Sequence, residues 1–446
     1  MSDAPAGNAD TRDGAGPEEG STVGRSLAVR GLCVLTGINL LNYLDRYIPS
    51  AIASDLAAPP LGLSDHQLGW LMSAFLLVYM VAAPVFGSLG DRGSRTRPIA
   101  IGVFVWSLAT VLSGLAHSYP QLLFGRAAVG IGEAAFVAIA PALLADYFSS
   151  ASRGRVLSVL NMAIYVGSAL GYVVGGLMSH HFGWRAAFYV AGAPGVLLAA
   201  LLLRLPDPGR ARVPQNSPPT AVSVYLRLLK QRQYLLVVLG YAAYTFAVGG
   251  LAFWMPTFLQ RMRGIPQVQA TSGFGVIVVV TGFVGALVGG WLGDYWLRFS
   301  RQAYLWMSGV VTLLAVPCVI LALAVPAPSV YYPALVAAQL LLFMSAGPIN
   351  AAIINSVAAT ERASAFALST FAIHLLGDVP SPVIIGHVSE ASSLGHAVLI
   401  VPAAVVVSGL VWLLAARAQP GGTQSRPARI AAANDGSESG RSNHPI

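Results

Sequence analysis

The chain has 446 residues, of which 55% are hydrophobic and only 10% charged, whereas a soluble globular domain carries roughly 25% charged residues. This composition excludes an ordinary water-soluble protein. The net charge of +8 comes from basic residues spread between apolar runs, so nucleic-acid binding is not indicated. The two cysteines, Cys33 and Cys318, lie far apart within apolar runs, and we expect no disulfide, metal site or cofactor.

Twelve apolar runs follow one another along the chain, each near or above the roughly 20 residues that a helix needs to span a bilayer. Backbone hydrogen bonding in lipid favours helices for such runs. The sequence therefore predicts an all-α integral membrane protein with twelve transmembrane helices. The runs are 27–54, 68–89, 98–115, 119–148, 156–182, 184–203, 234–260, 270–292, 303–324, 331–357, 363–387 and 397–415.

Most of the 26 basic residues lie in the two tails and in alternate loops. The loops of the opposite side contain only Arg185, Arg261 and Arg263. The positive-inside rule then places both tails and the long middle loop in the cytoplasm, for a protein of the plasma (inner) membrane. The tails, 1–26 and 417–446, are rich in Gly, Ser, Ala, Asp and Pro and are expected to be disordered.

An internal repeat divides the chain in two. The loop after the second helix reads GSLGD (87–91), and the loop after the eighth reads GWLGD (290–294). Two six-helix halves, 27–203 and 234–416, are the parallel-repeat plan of a class of membrane transporters. We therefore expect the working site between the halves.

The segment between the halves, 204–233, is rich in proline, which is typical of a linker. At its end, Val222, Leu226 and Leu229 share one helical face, opposite Arg227 and Lys230. This pattern predicts a short amphipathic helix on the membrane surface.

Four of the ionisable residues within the apolar runs stand out: Asp45 and Arg46 in the first helix, Arg126 and Glu133 in the fourth. With a rise of 1.5 Å per residue, Asp45 lies ~14 Å from the outer helix end, Arg126 ~10 Å and Glu133 ~21 Å, so Asp45 and Arg126 can meet. Arg126 and Glu133 are seven residues apart, which puts them on nearly the same face. Charges at this depth mark substrate or proton pathways; the alternative is fixed ion pairs that join the first helix to the fourth.

Several motifs carry a resemblance to known transporters. The stretch GSLGDRGSRTR (87–97) resembles the signature loop of the major facilitator superfamily. Within that superfamily, NYLDRY (42–47) resembles the first-helix motif of the spinster-like lysolipid and sphingolipid transporters. The same family is indicated by the runs GIGEA (130–134), VGSALGY (166–172) and HLLGD (374–378).

The resemblance implies a secondary transporter that moves an amphiphilic lipid, a lysophospholipid or a sphingoid-type lipid, by alternating access and with protons as coupling ions. It implies that Asp45 and Glu133 bind protons and that Arg126 holds the head group. Arg46 could contact either the substrate or a carboxylate. A transporter of a soluble organic anion or drug is the alternative, because Arg126 suits any carboxylate or phosphate.

An enzyme is not indicated, because the sequence contains no HExxH, GxSxG or P-loop motif. The lack of a P-loop also argues against an ATP-driven pump. Besides substrate, protons and membrane lipids we expect no partner, and nothing in the sequence indicates more than a monomer.

A further set of residues could line a cavity. Tyr241, Tyr244, Phe253 and Trp254 of the seventh helix could line a path for an acyl chain, although ordinary helix packing explains such a set as well. His374 of the eleventh helix could titrate near neutral pH or simply pack.

By resemblance to the superfamily, a third set forms a cytoplasmic gate whose salt bridges break when that side opens. Alternatively, the arginines serve only to orient the protein in the membrane by the positive-inside rule. That alternative does not explain why aspartates occur at matching positions of the internal repeat. The set consists of Asp91, Arg92, Arg95, Asp146, Arg153 and Asp294.

Overall fold

A computed structural model describes residues 24–92, 94–207, 222–358 and 361–418. Nearly all of the tails expected to be disordered, and the proline-rich part of the linker, lie outside these residues. Within them, the regular secondary structure is helical. The α-helices are α1 (Arg25–Ala51), α2 (Ala53–Ala57), α3 (Asp65–Arg92), α4 (Thr96–Gly114), α5 (Tyr119–Tyr147), α6 (Ser150–Phe182), α7 (Trp184–Leu203), α8 (Val222–Leu228), α9 (Arg232–Arg263), α10 (Gln267–Trp296), α11 (Ala303–Ala324), α12 (Pro328–Asn355), α13 (Arg362–Ile373), α14 (Pro380–Ala391), α15 (Leu394–Ala397) and α16 (Ile400–Arg417).

Twelve helical segments among the described residues are long and apolar enough to cross a membrane, which confirms the predicted fold class. The sixth and ninth spans, Trp184–Leu203 and Ala303–Ala324, have the predicted bounds. The fifth span begins at Ser150, six residues before its apolar run. Hydropathy does not detect this first turn and a half because its residues, SASRGR, are polar or small although they continue the helix.

The eleventh span is interrupted between α13 and α14 by a π turn, His374–Asp378. The π turn is caused by Pro380. Proline has no amide hydrogen to donate, and its ring clashes with the carbonyl group four residues earlier in a regular helix. The amide of Val379 instead donates to the carbonyl of His374, five residues back. Such turns are frequent at functional sites.

The helices form two bundles, one from α1 to α7 and one from α9 to α16. The bundles meet mainly where α6 packs on α10 and where α14 packs on α3. At the second contact, a Cβ atom on Gly69 would lie 2.5 Å from the carbonyl oxygen of Pro382. Only glycine therefore permits this approach of α3 to α14.

The short helix α8 is attached to the second bundle. Arg227 pairs with Glu361 at 2.5 Å, and Leu228 is fully buried. Leu226 and Leu229, on the face predicted to be apolar, are exposed, as a helix on a membrane surface would require.

The twelve spans place residues 24 and 418, the first and the last that the structure describes, on one side of the membrane. This side is named the tail side, and the opposite side the far side. On the far side the two halves are joined by an ion pair of 2.7 Å between Arg261 and Asp65. Ser389 donates a further bond of 2.6 Å to Asp65, and Gln267 donates to Asp55. These contacts close the space between the halves on the far side.

Deeper in the bundle, the halves are joined by two hydroxyl groups. Ser50 donates to the carbonyl of Phe253, and Tyr172 donates to the carbonyl of Ala252, both at 2.6 Å. Both acceptors lie in α9, so α9 is held against α1 and α6. These bonds must break if the far side is to open.

The change Arg261→Gln is expected to shift the protein toward states with an open far side. Loss of a partly exposed ion pair of about 1 kcal/mol changes the ratio of open to closed molecules roughly fivefold. The measurement is the spin-label distance between cysteines introduced at Leu115 and Ser329, which lie on the far side of different halves, after replacement of Cys33 and Cys318.

Arg263→Gln is the matched control, because Arg263 donates only to carbonyls of Ala322 and Leu323 within its own half. It should leave the distance distribution unchanged. Identical distributions for Arg261→Gln and the parent would show that the Asp65 pair does not hold the far side closed.

Candidate functional site

Two ion pairs connect α1 to α5 in the membrane interior. Asp45 Oδ1 lies 3.2 Å from Arg126 Nη1, and both side chains are fully buried. Arg46 Nη2 lies 2.9 Å from Glu133 Oε2. Since Asp45 and Arg46 are adjacent on a helix, they point about 100° apart, and each therefore reaches a different residue of α5. Thr110 of α4 donates a bond of 2.8 Å to the second oxygen of Asp45.

The two arginines share an aromatic neighbour. The guanidinium carbon of Arg46 lies 5.0 Å from the ring centre of Phe75 in α3, and that of Arg126 lies 5.3 Å from the same ring. Tyr43 and Tyr79 flank Arg46 at 4.7 and 5.5 Å. Each ring attracts a cation through its electron-rich face. The two positive charges are thereby held close together without direct contact.

Small residues bring α5 close enough for these pairs to form. A Cβ on Gly130 would lie 2.5 Å from the carbonyl of Phe75, and one on Gly132 would lie 2.4 Å from the carbonyl of Gly102. The helix therefore packs backbone to backbone on α3 and α4. Its position fixes the height at which Arg126 and Glu133 present their charges.

The ion pairs leave hydrogen-bonding capacity unused. Among the described residues, Arg126 Nε and Nη2, Arg46 Nε and Glu133 Oε1 are buried without a hydrogen-bond partner. The same holds for both polar atoms of Asn42, one turn before Asp45. Buried polar groups are normally satisfied, so this cluster is suited to receive a ligand or water.

On the second half, the π turn presents one more hydrogen-bonded pair of ionisable residues. His374 Nδ1 lies 2.9 Å from Asp378 Oδ2. The ring of His374 meets that of Tyr79, in the first half, edge on at 5.9 Å. His374 thus lies on the interface between the halves, as a residue of the working site would.

The aromatic residues predicted to line an acyl path are mostly packed inside the protein in this conformation. Tyr244 is buried and donates 2.8 Å to the carbonyl of Leu342. Phe253 and Trp254 are buried as well, and Trp254 donates to the carbonyl of Pro382. Tyr241 alone of the four is only partly buried.

The residues predicted to form a cytoplasmic gate make contacts within each half. Arg95 pairs with Asp146, and Arg153 donates to the carbonyls of Ala145 and Phe148. Asp294 accepts 2.7 Å from Tyr304. The side chains of Asp91 and Arg92 lie outside the described residues.

Sequence reasoning missed two parts of this site. Phe75, between the arginines, is one of many aromatic residues in apolar runs, and no pattern distinguishes it. For Thr110 the one available signal is weak: it is a hydroxyl residue in an apolar run, 98–115, that contains no charged residue. The sequence does not decide whether Arg46 contacts the substrate or a carboxylate. In the structure its partner is the carboxylate of Glu133.

Two six-helix bundles around buried charges at their centre define a membrane transporter, not an enzyme. In agreement, the sequence model of the Major Facilitator Superfamily matches residues 35–382, most of the chain. The chain belongs to this superfamily and, within it, to the spinster family, which confirms the resemblance seen in its motifs.

Two relatives show the family. The chain is 32% identical to the sphingosine-1-phosphate transporter SPNS2 of Xenopus tropicalis, over 88% of this chain and 82% of that protein. It is 34% identical to the protein spinster homolog 1 of Bos taurus, over 86% of this chain and 78% of that protein.

Among solved structures, the fold is similar to a bacterial homologue of the human lysosomal transporter Spinster in an inward-facing, unoccupied conformation. The TM-score is 0.80 at 23% identity, with 89% of this chain and 98% of that chain covered. A D-xylose–proton symporter also shares the fold, with a TM-score of 0.66, 18% identity, and 86% and 97% coverage.

We expect Asp45→Asn to lower the free energy of unfolding by about 3–5 kcal/mol, because it leaves Arg126 as a buried, unpaired charge. Arg126→Met should lower it less, because a buried carboxyl group without its partner can be neutral. The double variant, which removes both charges, should regain at least half of the loss. Thermal unfolding midpoints of the detergent-purified protein measure this.

Arg153→Gln serves as a control, since the bonds that Arg153 makes to described residues are to backbone carbonyls, and it should shift the midpoint little. If the double variant were as unstable as the two single losses added together, Asp45 and Arg126 would not act as a pair.

Proposed function

We propose that this protein is a proton-coupled transporter of an amphiphilic lipid, a lysophospholipid or a sphingoid-type lipid, and works by alternating access. The observation that carries the proposal is the fully buried pair of Asp45 and Arg126 in a chain of the spinster family. The name of the SPNS2 relative supports an anionic lipid as the substrate.

In this proposal Arg126 binds the anionic head group. Two of its guanidinium nitrogens are buried without a partner among the described residues, so an incoming phosphate or carboxylate oxygen can bind there. An arginine bound to such an anion in bidentate geometry makes strong, charge-assisted bonds. The anion would therefore compete with Asp45 for Arg126.

A proton completes the exchange. A carboxylate that loses its arginine partner in an apolar environment is costly as a charged group and becomes neutral instead. Asp45 would take up a proton when the head group takes Arg126, and would release it when the substrate leaves. Glu133, paired with Arg46 at 2.9 Å, would serve as the second proton site. It would take up a proton when the substrate anion displaces it from Arg46.

Alternating access would use the contacts between the halves. In this structure the far side is closed by the bonds around Asp65 and Asp55. We propose that the tail side faces the cytoplasm of a plasma membrane, because it carries most of the basic residues. In this proposal the structure corresponds to an inward-directed state, and the predicted cytoplasmic gate, which includes Asp91 and Arg95, would join the halves on the tail side only when the far side opens.

The test is lysolipid flux into proteoliposomes under an imposed pH gradient. The gradient should accelerate flux by the parent protein, whereas Asp45→Asn and Glu133→Gln should lose this acceleration because neither side chain can then exchange a proton. Glu361→Gln is the control, since Glu361 pairs with Arg227 beside the linker and should retain coupling.

A gradient that still drives both variants as it drives the parent would refute their role as proton sites. Transport of small carboxylates or alkyl phosphates without lysolipid flux would instead favour the soluble-anion alternative. Ligand binding with no flux of any substrate would indicate a receptor.

A further inference from the structure

Asp378 is a charged residue inside the membrane that the exchange at Arg126 does not use. Its side chain is 22% exposed and is paired with His374 alone among the described residues. A histidine compensates the negative charge of Asp378 only when it is itself protonated, and an uncompensated charge is costly at this depth. The first half differs in this respect, because its two acidic and two basic side chains cancel in charge.

Aromatic rings lie beside the pair of Asp378 and His374. The ring of Tyr79, in the first half, meets that of His374 at 5.9 Å, and both Tyr79 and Tyr43 flank Arg46. The faces of such rings attract organic cations, and rings around an ammonium group are a recurrent binding arrangement. A carboxylate near these rings would add a charge-assisted hydrogen bond.

Asp378 lies level with the Arg46–Glu133 pair across the interface. It is ~20 Å from the far end of its span, and Glu133, the partner of Arg46, is ~21 Å from the far end of α5. Tyr79 bridges the two groups, since its ring contacts His374 at 5.9 Å and lies 5.5 Å from the Arg46 guanidinium. The Arg46–Glu133 pair of one half therefore faces Asp378 of the other.

We propose that Asp378 binds the ammonium group of a substrate whose phosphate binds at Arg126 and Arg46. This inference rests on the proposed function and adds a specificity residue to it. The carboxylate exchanges its bond with His374 for a bond to the substrate ammonium. A head group that carries both charges then holds the two halves together through its own atoms.

A packing role for Asp378 makes a different prediction. The π turn is explained by Pro380, and a Cβ on Gly249 would lie 2.8 Å from Cβ of Asp378. Asparagine has nearly the shape of aspartate and would satisfy both constraints. Only recognition of a cation requires the charge.

The experiment compares binding of two lipids with the same acyl chain, lysophosphatidylethanolamine and lysophosphatidic acid, by calorimetry on detergent-purified protein. Only the first carries an ammonium group. Asp378→Asn should raise the Kd for lysophosphatidylethanolamine about tenfold, the effect of one charge-assisted bond. The Kd for lysophosphatidic acid should stay within about twofold of the parent value, by the same scale.

Two controls keep the test decisive. Glu361→Gln also removes the charge of a carboxylate, at a residue that pairs with Arg227 beside the linker, and should leave both lipids unaffected. Asp378→Glu, which retains the charge, should keep the preference for the ammonium lipid, and provides the comparison if Asp378→Asn does not fold.

Equal weakening of both lipids by Asp378→Asn, or no weakening of either, would overturn the ammonium site while leaving the proposed transporter function intact. Loss of the ammonium preference in Asp378→Glu would overturn it as well. A parent protein that binds neither lipid would instead overturn the lipid substrate, and this site with it.

Discussion

The organisation of this protein depends on the cost of placing charge in a bilayer. Asp45, Arg46, Arg126 and Glu133 are tolerated because they form two ion pairs between α1 and α5, and because aromatic rings surround the arginines. A ligand that binds one member of a pair leaves the other as an unpaired buried charge, which is costly unless it is neutralised. Substrate binding and protonation are coupled in the proposal for this reason.

Much of the fold follows from the sequence because the bilayer imposes a simple rule on span length and hydrogen bonding. The depth of each charge along its helix also follows, and it placed Asp45 and Arg126 at compatible heights. Which face of a helix meets which neighbour does not follow from one span. The pairing of Arg46 with Glu133 depends on how α5 packs on α3 and α4 through Gly130 and Gly132.

The interface between the halves was the least predictable part. Asp65 and Arg261 are 196 positions apart, and in the sequence Arg261 is only one basic residue of a far-side loop. Their contact depends on the captured conformation as well as on the fold. His374 and Asp378, in contrast, are four residues apart and could have been paired from the helical repeat, although the π turn that carries them could not.

The most direct test of the central claim is proton uptake during substrate binding, measured with a pH-sensitive dye when lysolipid is mixed with detergent-purified protein in weak buffer. The account predicts that lipid binding takes up protons, and that each of the single variants Asp45→Asn and Glu133→Gln takes up fewer protons than the parent while it still binds lipid. Lipid binding by the parent protein without any proton uptake between about pH 5 and 8, the range over which proton-exchanging side chains usually act, would contradict it.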